Sequence, residues 1–273
     1  MKILLIGCGF VGERTADLFH AAGHEVIGMT HSPESAARLS AQKPWKALAC
    51  NIASASEVTA LRQQIGAIDA FIHCASSSKG GAEMYQAVYV DGMKHLLASF
   101  PEAWPLYTSS TSVYPQIDGS TVDETSPAEP TKETGRLLRE AENLALDHQG
   151  AVARLAGIYG AGRSFLLKNL LEGTSGIEIN EGAPEGRLIN QIHADDAASA
   201  LVHLITCKHS GIYNVVDDAK ITQAGCLVKL AALFNLPVPG IKPPDAARKR
   251  GWTHKHVSNS KLRATGWSPK YPD

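Results

Sequence analysis

An α/β fold, with a doubly wound parallel sheet and a small C-terminal lobe, is predicted by three features of the 273-residue chain. Short continuous apolar runs recur, the pattern of strands covered on both faces. Segments of helical spacing separate them, so each strand is followed by a crossover helix. The first run also ends in a glycine-rich turn that opens a helix.

Ile3 to Ile6 is the first strand, and a helix follows from about Phe10 to Ala22. Further strands are expected at Val26-Ile27-Gly28-Met29, Ala47-Leu48-Ala49-Cys50, Ala70-Phe71-Ile72-His73 and Pro105-Leu106-Tyr107-Thr108, separated by helical segments such as Met84 to Phe100. Right-handed crossovers put the strand C-termini along one edge, where ligands bind. A helix from about Thr134 to His148 and the strand Val152-Ala153-Arg154-Leu155 extend the sheet. Beyond Tyr159-Gly160 the order changes, with Gly173, Gly176, Gly182, Pro184 and Gly186 marking a turn-rich stretch. His193 to Cys207, Gly211 to Val216 and Thr222 to Phe234 read as a small lobe, with Thr222 capping the last helix. Pro237 to Pro244 reads as a connector with little room for regular structure. The expected division is a sheet domain over 1–162 and a lobe over 163–273, interleaved with the last strands.

Composition narrows the partners. Hydrophobic residues are 44% and charged residues 19%, which gives an ordinary globular core. With 26 basic and 27 acidic side chains the net charge is -1, so no general field draws the chain to nucleic acid or an anionic membrane. A small-molecule substrate is the expected partner, with a homodimer as a candidate assembly. Five scattered cysteines lack disulfide or zinc spacing and fit reduced thiols in the cytoplasm. Leu5-Ile6-Gly7-Cys8 resembles a lipoprotein cleavage box, but its apolar run is shorter than the roughly 7 to 15 residues a signal needs. No stretch reaches transmembrane length.

The turn after the first strand is Gly7-Cys8-Gly9-Phe10-Val11-Gly12. In a G-x-G-x-x-G run so placed, Gly7 permits the tight turn, Gly9 lets a pyrophosphate approach the backbone, and Gly12 lets helix and strand pack closely. The helix N-terminus, with Phe10 and Val11, adds amide donors and a positive dipole end. The run reads as a Rossmann-type site for a nicotinamide dinucleotide. An NAD enzyme places an acid on the adenosine ribose near the end of the second strand, whereas this chain has Thr30-His31-Ser32. Without a carboxylate to repel a 2′-phosphate, and with hydroxyl and imidazole donors there, NADP(H) is favoured over NAD(H). The bland alternative makes these three residues a plain loop.

Five further segments accompany this loop: Asp69 to Ala75, Tyr107 to Tyr114, Arg154-Leu155-Ala156-Gly157-Ile158-Tyr159-Gly160, Ile192 to Ala197, and the tail Lys261 to Pro269. In order and spacing they resemble the extended short-chain dehydrogenase/reductases, the NAD-dependent epimerase/dehydratase group, over most of the chain. The resemblance adds Cys74, Ala75, Ser76 and Ala156 to the cofactor-binding set. It implies that Ser110, three positions before Val113-Tyr114, is the catalytic hydroxyl. It also places a catalytic Tyr, with a Lys four residues later, where this chain has Thr134 and Leu138. No other Tyr lies between Tyr114 and Tyr159, and the one Lys there is Lys132, so the usual proton-transfer pair is absent. Tyr89 stands where this family often has an asparagine.

Ser77, Thr111, Arg163, Arg187 and Asn190, with Ser76, are the expected walls of a substrate cleft, where an arginine could grip a phosphate or carboxylate. The alternative for each arginine is a solvated surface residue. His193, Asp195 and Asp196 read as a strand-to-helix cap, and no metal is expected. Two functions follow. One is an oxidoreductase or epimerase of altered mechanism, acting on a small carbonyl or alcohol or a nucleotide sugar; the other is a non-catalytic NADP(H) sensor.

Overall fold

The computed structural model describes residues 1–77, 80–245 and 252–273. The chain alternates β1 (Lys2–Ile6), α1 (Gly12–Ala21), β2 (Glu25–Thr30), α2 (Pro33–Gln42), β3 (Lys46–Ala49), α3 (Ala55–Ile65) and β4 (Ala70–His73). Helix α4 follows in three parts, Ala82–Tyr85, a π-helical turn Gln86–Asp91 and Gly92–Ser99. Then come β5 (Trp104–Ser110), α5 (Glu133–Asp147), β6 (Ala151–Leu155), α6 (Phe165–Leu171), α7 (Ala194–Cys207), β7 (Gly211–Val215), α8 (Gln223–Leu233) and α9 (Ser260–Ala264).

Seven strands form one parallel sheet in the order β7-β6-β5-β4-β1-β2-β3. The order reverses direction at β1, so right-handed crossovers send the helices of the two halves to opposite faces. Helix α1 packs with α7, whereas α4 packs with both α3 and α5. A strand covered on both faces has no polar side, and Ile3, Leu4, Leu5 and Ile6 of β1 are all buried. Each such side chain contributes about 1.5–3 kcal/mol by leaving water.

Two later segments lie elsewhere than the sequence suggested. Gly211–Val215 is the seventh strand of the main sheet, in register from Gly211 beside Ala151 to Val215 beside Leu155. Its helix α7 buries Ala194, Ala197, Ala198, Leu201 and Leu204 on the sheet body. Both therefore pack as part of the main sheet's body, interleaved with its last strands, and not in a lobe of their own. The remainder pairs in short pieces: Leu188–Ile189 with Ile221–Thr222, Ile177–Glu178 with Ile241–Lys242, Gln191–His193 with Gly157–Tyr159, and His256–Val257 with Thr121–Val122. The Ile241–Lys242 pairing gives the proline-rich connector a short strand after all. Thr222 caps α8 as its position suggests, accepting from the Gly225 amide at 3.0 Å. Among the described residues no helix is long and apolar enough to cross a membrane.

Candidate active site

The glycine turn follows directly from its residues. Gly7 has φ +89°, and a Cβ there would stand 2.5 Å from the Ala75 backbone, so two strand ends meet at a point only glycine allows. A Cβ on Gly12 would lie 2.2 Å from the Gly7 carbonyl oxygen, which holds α1 tightly against the turn. Gly9 differs, because a Cβ on it would meet nothing within 4 Å. Its lack of a side chain leaves space in front of the backbone, and Val11, at the N-cap of α1, supplies no side-chain cap. An open cradle before uncapped helix amides fits a pyrophosphate. Two guanidinium groups lie over the Phe10 ring, Arg14 at 4.4 Å and Arg163 at 5.2 Å from its centroid. Arg163 thus borders the glycine turn and is not among the residues lining the cavity described below. This departs from its expected place in the cleft wall.

At the end of β2, local bonds claim two of the three expected donors. The Thr30 hydroxyl donates to the Ser32 carbonyl at 3.1 Å. Ser32 caps α2, its oxygen accepting from the Ser35 amide at 3.3 Å while its hydroxyl donates to Ser35 Oγ at 3.2 Å. His31 is exposed. No carboxylate occurs within the Thr30-His31-Ser32 run.

The ends of β4 and β5 face the middle of the sheet edge. His73 is fully buried, with Nε2 2.9 Å from the Val88 carbonyl and Nδ1 without a partner. Burial pushes its pKa down to about 4, so the ring is neutral near pH 7. Beyond it, Cys74 and Ala75 are half-buried and Ser76 is exposed, while Ser77 is buried and donates its amide to the Tyr89 phenol at 3.2 Å. That contact uses Tyr89 on the π turn of α4, and Ser77 is not among the residues lining the cavity described below. Ser110, the last residue of β5, accepts from the Ser112 amide at 3.2 Å. Its own hydroxyl proton is given to no group among the described residues.

Helix α5 packs against the Thr111–Val113 turn and contains neither Tyr nor Lys. Thr134 is half-buried in its first turn, and Leu138 is buried. One turn further, Glu142 is fully buried and holds a network that sequence reading missed. It accepts from Ser109 Oγ at 2.5 Å and from Arg154 at 3.0 and 2.7 Å, and it also pairs with Arg139. Arg154 in turn lies 4.8 Å over the Tyr114 ring, whose hydroxyl donates to Asn214 at 2.9 Å. This network clamps α5 to β5, β6 and β7 immediately behind Ser110. Its signal was legible: Glu142 shares the helical stripe of Leu138, Ala141 and Ala145, and an acid on an apolar stripe needs a buried cation.

A cavity of about 560 Å³ opens beside this edge. Thr111, Ser112, Gly157, Ile158 and Tyr159 line it from the sheet, Phe165, Leu166, Arg187, Ile189, Asn190 and Gln191 from the later segments, and Thr253 and Lys255 from the chain's last part. Of the expected cleft residues, Thr111, Arg187 and Asn190 are here. Arg187 pairs with Glu178 at 3.1 Å. Asn190 is spent on the Lys255 carbonyl and the Val257 amide, which pins the last segment across the cavity. Burial pushes the Tyr159 hydroxyl up to about 12, so it stays protonated. Ala156 is buried and donates to the Val215 carbonyl at 3.0 Å. A further cavity of about 650 Å³ lies along β7 and the Asp123–Thr125 turn and contains none of the expected site residues.

His193 caps α7 by accepting the Asp195 amide at 3.2 Å, and Asp195 pairs with Arg14 at 3.0 Å. Asp196 accepts the amides of Lys270 and Tyr271 at 2.7 and 2.8 Å and so fastens the C-terminal tail. Among the described residues, the grouping with metal-ligand spacing is His203, Cys207 and His209, with donor atoms within 4.8 Å of one another. It sits at the C-terminal end of α7, away from the His193 cap at the helix's start.

A family model described as "NAD dependent epimerase/dehydratase family" matches residues 3–215. Protein YeeZ of Escherichia coli K12 is 28% identical over 288 residues, covering 100% of this chain and 97% of YeeZ. A solved structure from Methylobacillus flagellatus is 26% identical with a TM-score of 0.80, covering 100% of this chain and 94% of that one. The UDP-glucose 4-epimerase of Thermus thermophilus, solved in complex with NAD, shares the fold with a TM-score of 0.81 at 19% identity, covering 99% and 94%. The match over β1 to β7, together with a glycine cradle at the point where the strand order reverses, means that the chain belongs to the NAD-dependent epimerase/dehydratase family.

Proposed function

We propose that the chain is an NADP(H)-dependent oxidoreductase acting on a carbonyl or alcohol group of a small molecule. The observation that carries this reading is the cavity lined by Thr111 and Ser112, next to a Ser110 hydroxyl whose proton is given to no group among the described residues. A sensor would need the glycine turn but no such cavity. Gly7, Gly9, Phe10, Val11 and Gly12 would hold the pyrophosphate, with Cys74, Ala75, Ser76 and Ala156 along the neighbouring strand ends. Bound there, the nicotinamide supplies hydride chemistry. Preference for the 2′-phosphorylated form rests on the missing carboxylate at Thr30 and on exposed His31, since the Thr30 and Ser32 hydroxyls are bonded locally.

Ser110 donates its proton in a hydrogen bond to the reacting oxygen and stabilises charge developing on it. Thr134 occupies the place of the relatives' tyrosine but is a far weaker acid, and buried Leu138 adds no charge. Common nucleotide sugars are therefore turned over weakly, because acid-base assistance contributes about 10²- to 10⁴-fold. The test is cofactor oxidation and reduction across a metabolite panel, with wild type beside Ser110→Ala. Ser110→Ala lowers turnover on the true substrate by about 10²-fold and leaves NADPH affinity intact. Vigorous turnover of a usual sugar nucleotide, indifferent to Ser110→Ala, would show the cleft to be misassigned.

A further inference from the structure

The cavity beside Ser110 contains a positive charge that no acid among the described residues neutralises. Lys255 lines it and is only 2% exposed. An ammonium has three donors, and Lys255 uses one, to the Tyr114 carbonyl at 2.6 Å. Among the described residues no carboxylate pairs with it. The remaining residues, 78–79 and 246–251, include no Asp or Glu in their sequence. Among the described residues, the other cation on the cavity wall is Arg187, which is already compensated by Glu178. A buried, unpaired charge is costly to keep, and chains that keep one generally use it.

The groups around it share one chemistry. Thr111 and Ser112 line the same cavity, and their hydroxyls are bonded to no other group among the described residues. Two hydroxyl donors and an ammonium make a site for an oxyanion. We propose that Lys255, Thr111 and Ser112 form a subsite for a single carboxylate, so that the substrate is a small monocarboxylate whose carbonyl or alcohol is presented to Ser110. This rests on the oxidoreductase reading and deepens it by naming the substrate class. Among the described residues, one uncompensated positive charge on the cavity wall matches one negative charge. The diphosphate of a sugar nucleotide would ask for at least two, and Arg187 is not available for the second. Desolvation also lowers the Lys255 pKa to about 8, which leaves mostly ammonium at pH 7, the form a carboxylate would favour further.

Ligand-observed NMR on the full chain, loaded with NADP⁺, tests this directly. The probes are monocarboxylates of two to six carbons including pyruvate, with acetone as the neutral match for pyruvate and uridine diphosphate as the diphosphate arm. Wild type is expected to bind at least one monocarboxylate at least tenfold more tightly than its neutral match. Lys255→Met should weaken that binding at least tenfold, and Thr111→Val several-fold. Should Lys255→Met fail to fold, Thr111→Val with Ser112→Ala tests the same subsite without touching the buried charge. Binding of monocarboxylates no tighter than acetone, or affinity indifferent to these changes, overturns the proposal, as does tighter, Lys255-dependent binding of uridine diphosphate. NADPH affinity measured on the same samples separates the two readings. Carboxylate binding through Lys255 without dinucleotide binding would sink the oxidoreductase assignment and leave the subsite standing.

Discussion

The three glycines of the turn do different work, and single substitutions separate them. Gly9→Ala adds a methyl in open space, so stability should stay within about 0.5 kcal/mol of wild type while dinucleotide affinity collapses. Gly12→Ala instead drives a Cβ into the Gly7 carbonyl and Leu5, and should lower stability by about 1–3 kcal/mol. Urea melts beside NADPH calorimetry check both; a Gly9→Ala protein that still binds would mean the cradle is elsewhere. Buried carboxyls and imidazoles set the pH response. Burial, with nearby Asp218, Asp196 and Asp273, raises Asp217 to about 7. The folded chain keeps that proton while the unfolded chain loses it near the ordinary pKa of 3.8, so this group's contribution falls as pH rises from about 4 through 7. His73 acts in the opposite sense. Its folded pKa of about 4 lies below 6.5, so stability falls as pH drops from 6.5 towards 4. Asp217→Asn should therefore stabilise the protein at pH 8 and lose that advantage near pH 4, read from urea midpoints across the range. An advantage independent of pH would exclude titration of Asp217 as its source.

Helix α2 shows how an element can claim residues that a binding site seemed to need. Its first turn starts with Pro33 after a Ser32 cap, the usual grammar of a helix start, and the cap occupies the hydroxyl that a 2′-phosphate would otherwise meet. Ser32→Ala should cost about 1 kcal/mol of stability and leave the ratio of NADPH to NADH affinity nearly unchanged. His31→Ala should shrink that ratio without a comparable loss of stability. The pair is measured by thermal melts and calorimetry with both cofactors. A wild type that binds NADH as tightly as NADPH would end the case for NADP(H). Helix α4 illustrates the reverse, because its π turn carries Tyr89 to the Ser77 amide and departs from the α-helical spacing that predicted the helix.

At the scale of the whole molecule, the sheet is completed late in the chain. β7 pairs with β6, and α7 covers α1 with Ala197, Ala198, Leu201 and Leu204 fully buried. A fragment of residues 1–162 lacks both, exposing one edge of β6 and an apolar face of α1. It should show no cooperative unfolding transition by circular dichroism, whereas a fragment ending after β7 should recover one. A sharp transition for 1–162 would mean that the first six strands are a self-sufficient domain.

The sequence by itself determined the alternation of strands and helices, the glycine turn and the Ser110 motif. These are local: a strand covered on both faces is apolar, a crowded turn at positive φ favours glycine, and a motif is a run of neighbours. The place of Gly211–Val215 was not local, because a five-residue run states that it is a strand but not which edge it joins. Nor could spacing show that Thr30 and Ser32 would spend their hydroxyls on each other's surroundings, or that Arg163 would cover Phe10. Lys255 is the strongest case. It lies 141 residues from the Tyr114 carbonyl it bonds, amid polar neighbours that read as surface. Only long-range pairing, through Asn190 and the His256–Val257 strand, brings it into the cavity and removes it from water. Burial is a property of packing between distant segments, and it is burial that turns an ordinary lysine into an uncompensated charge.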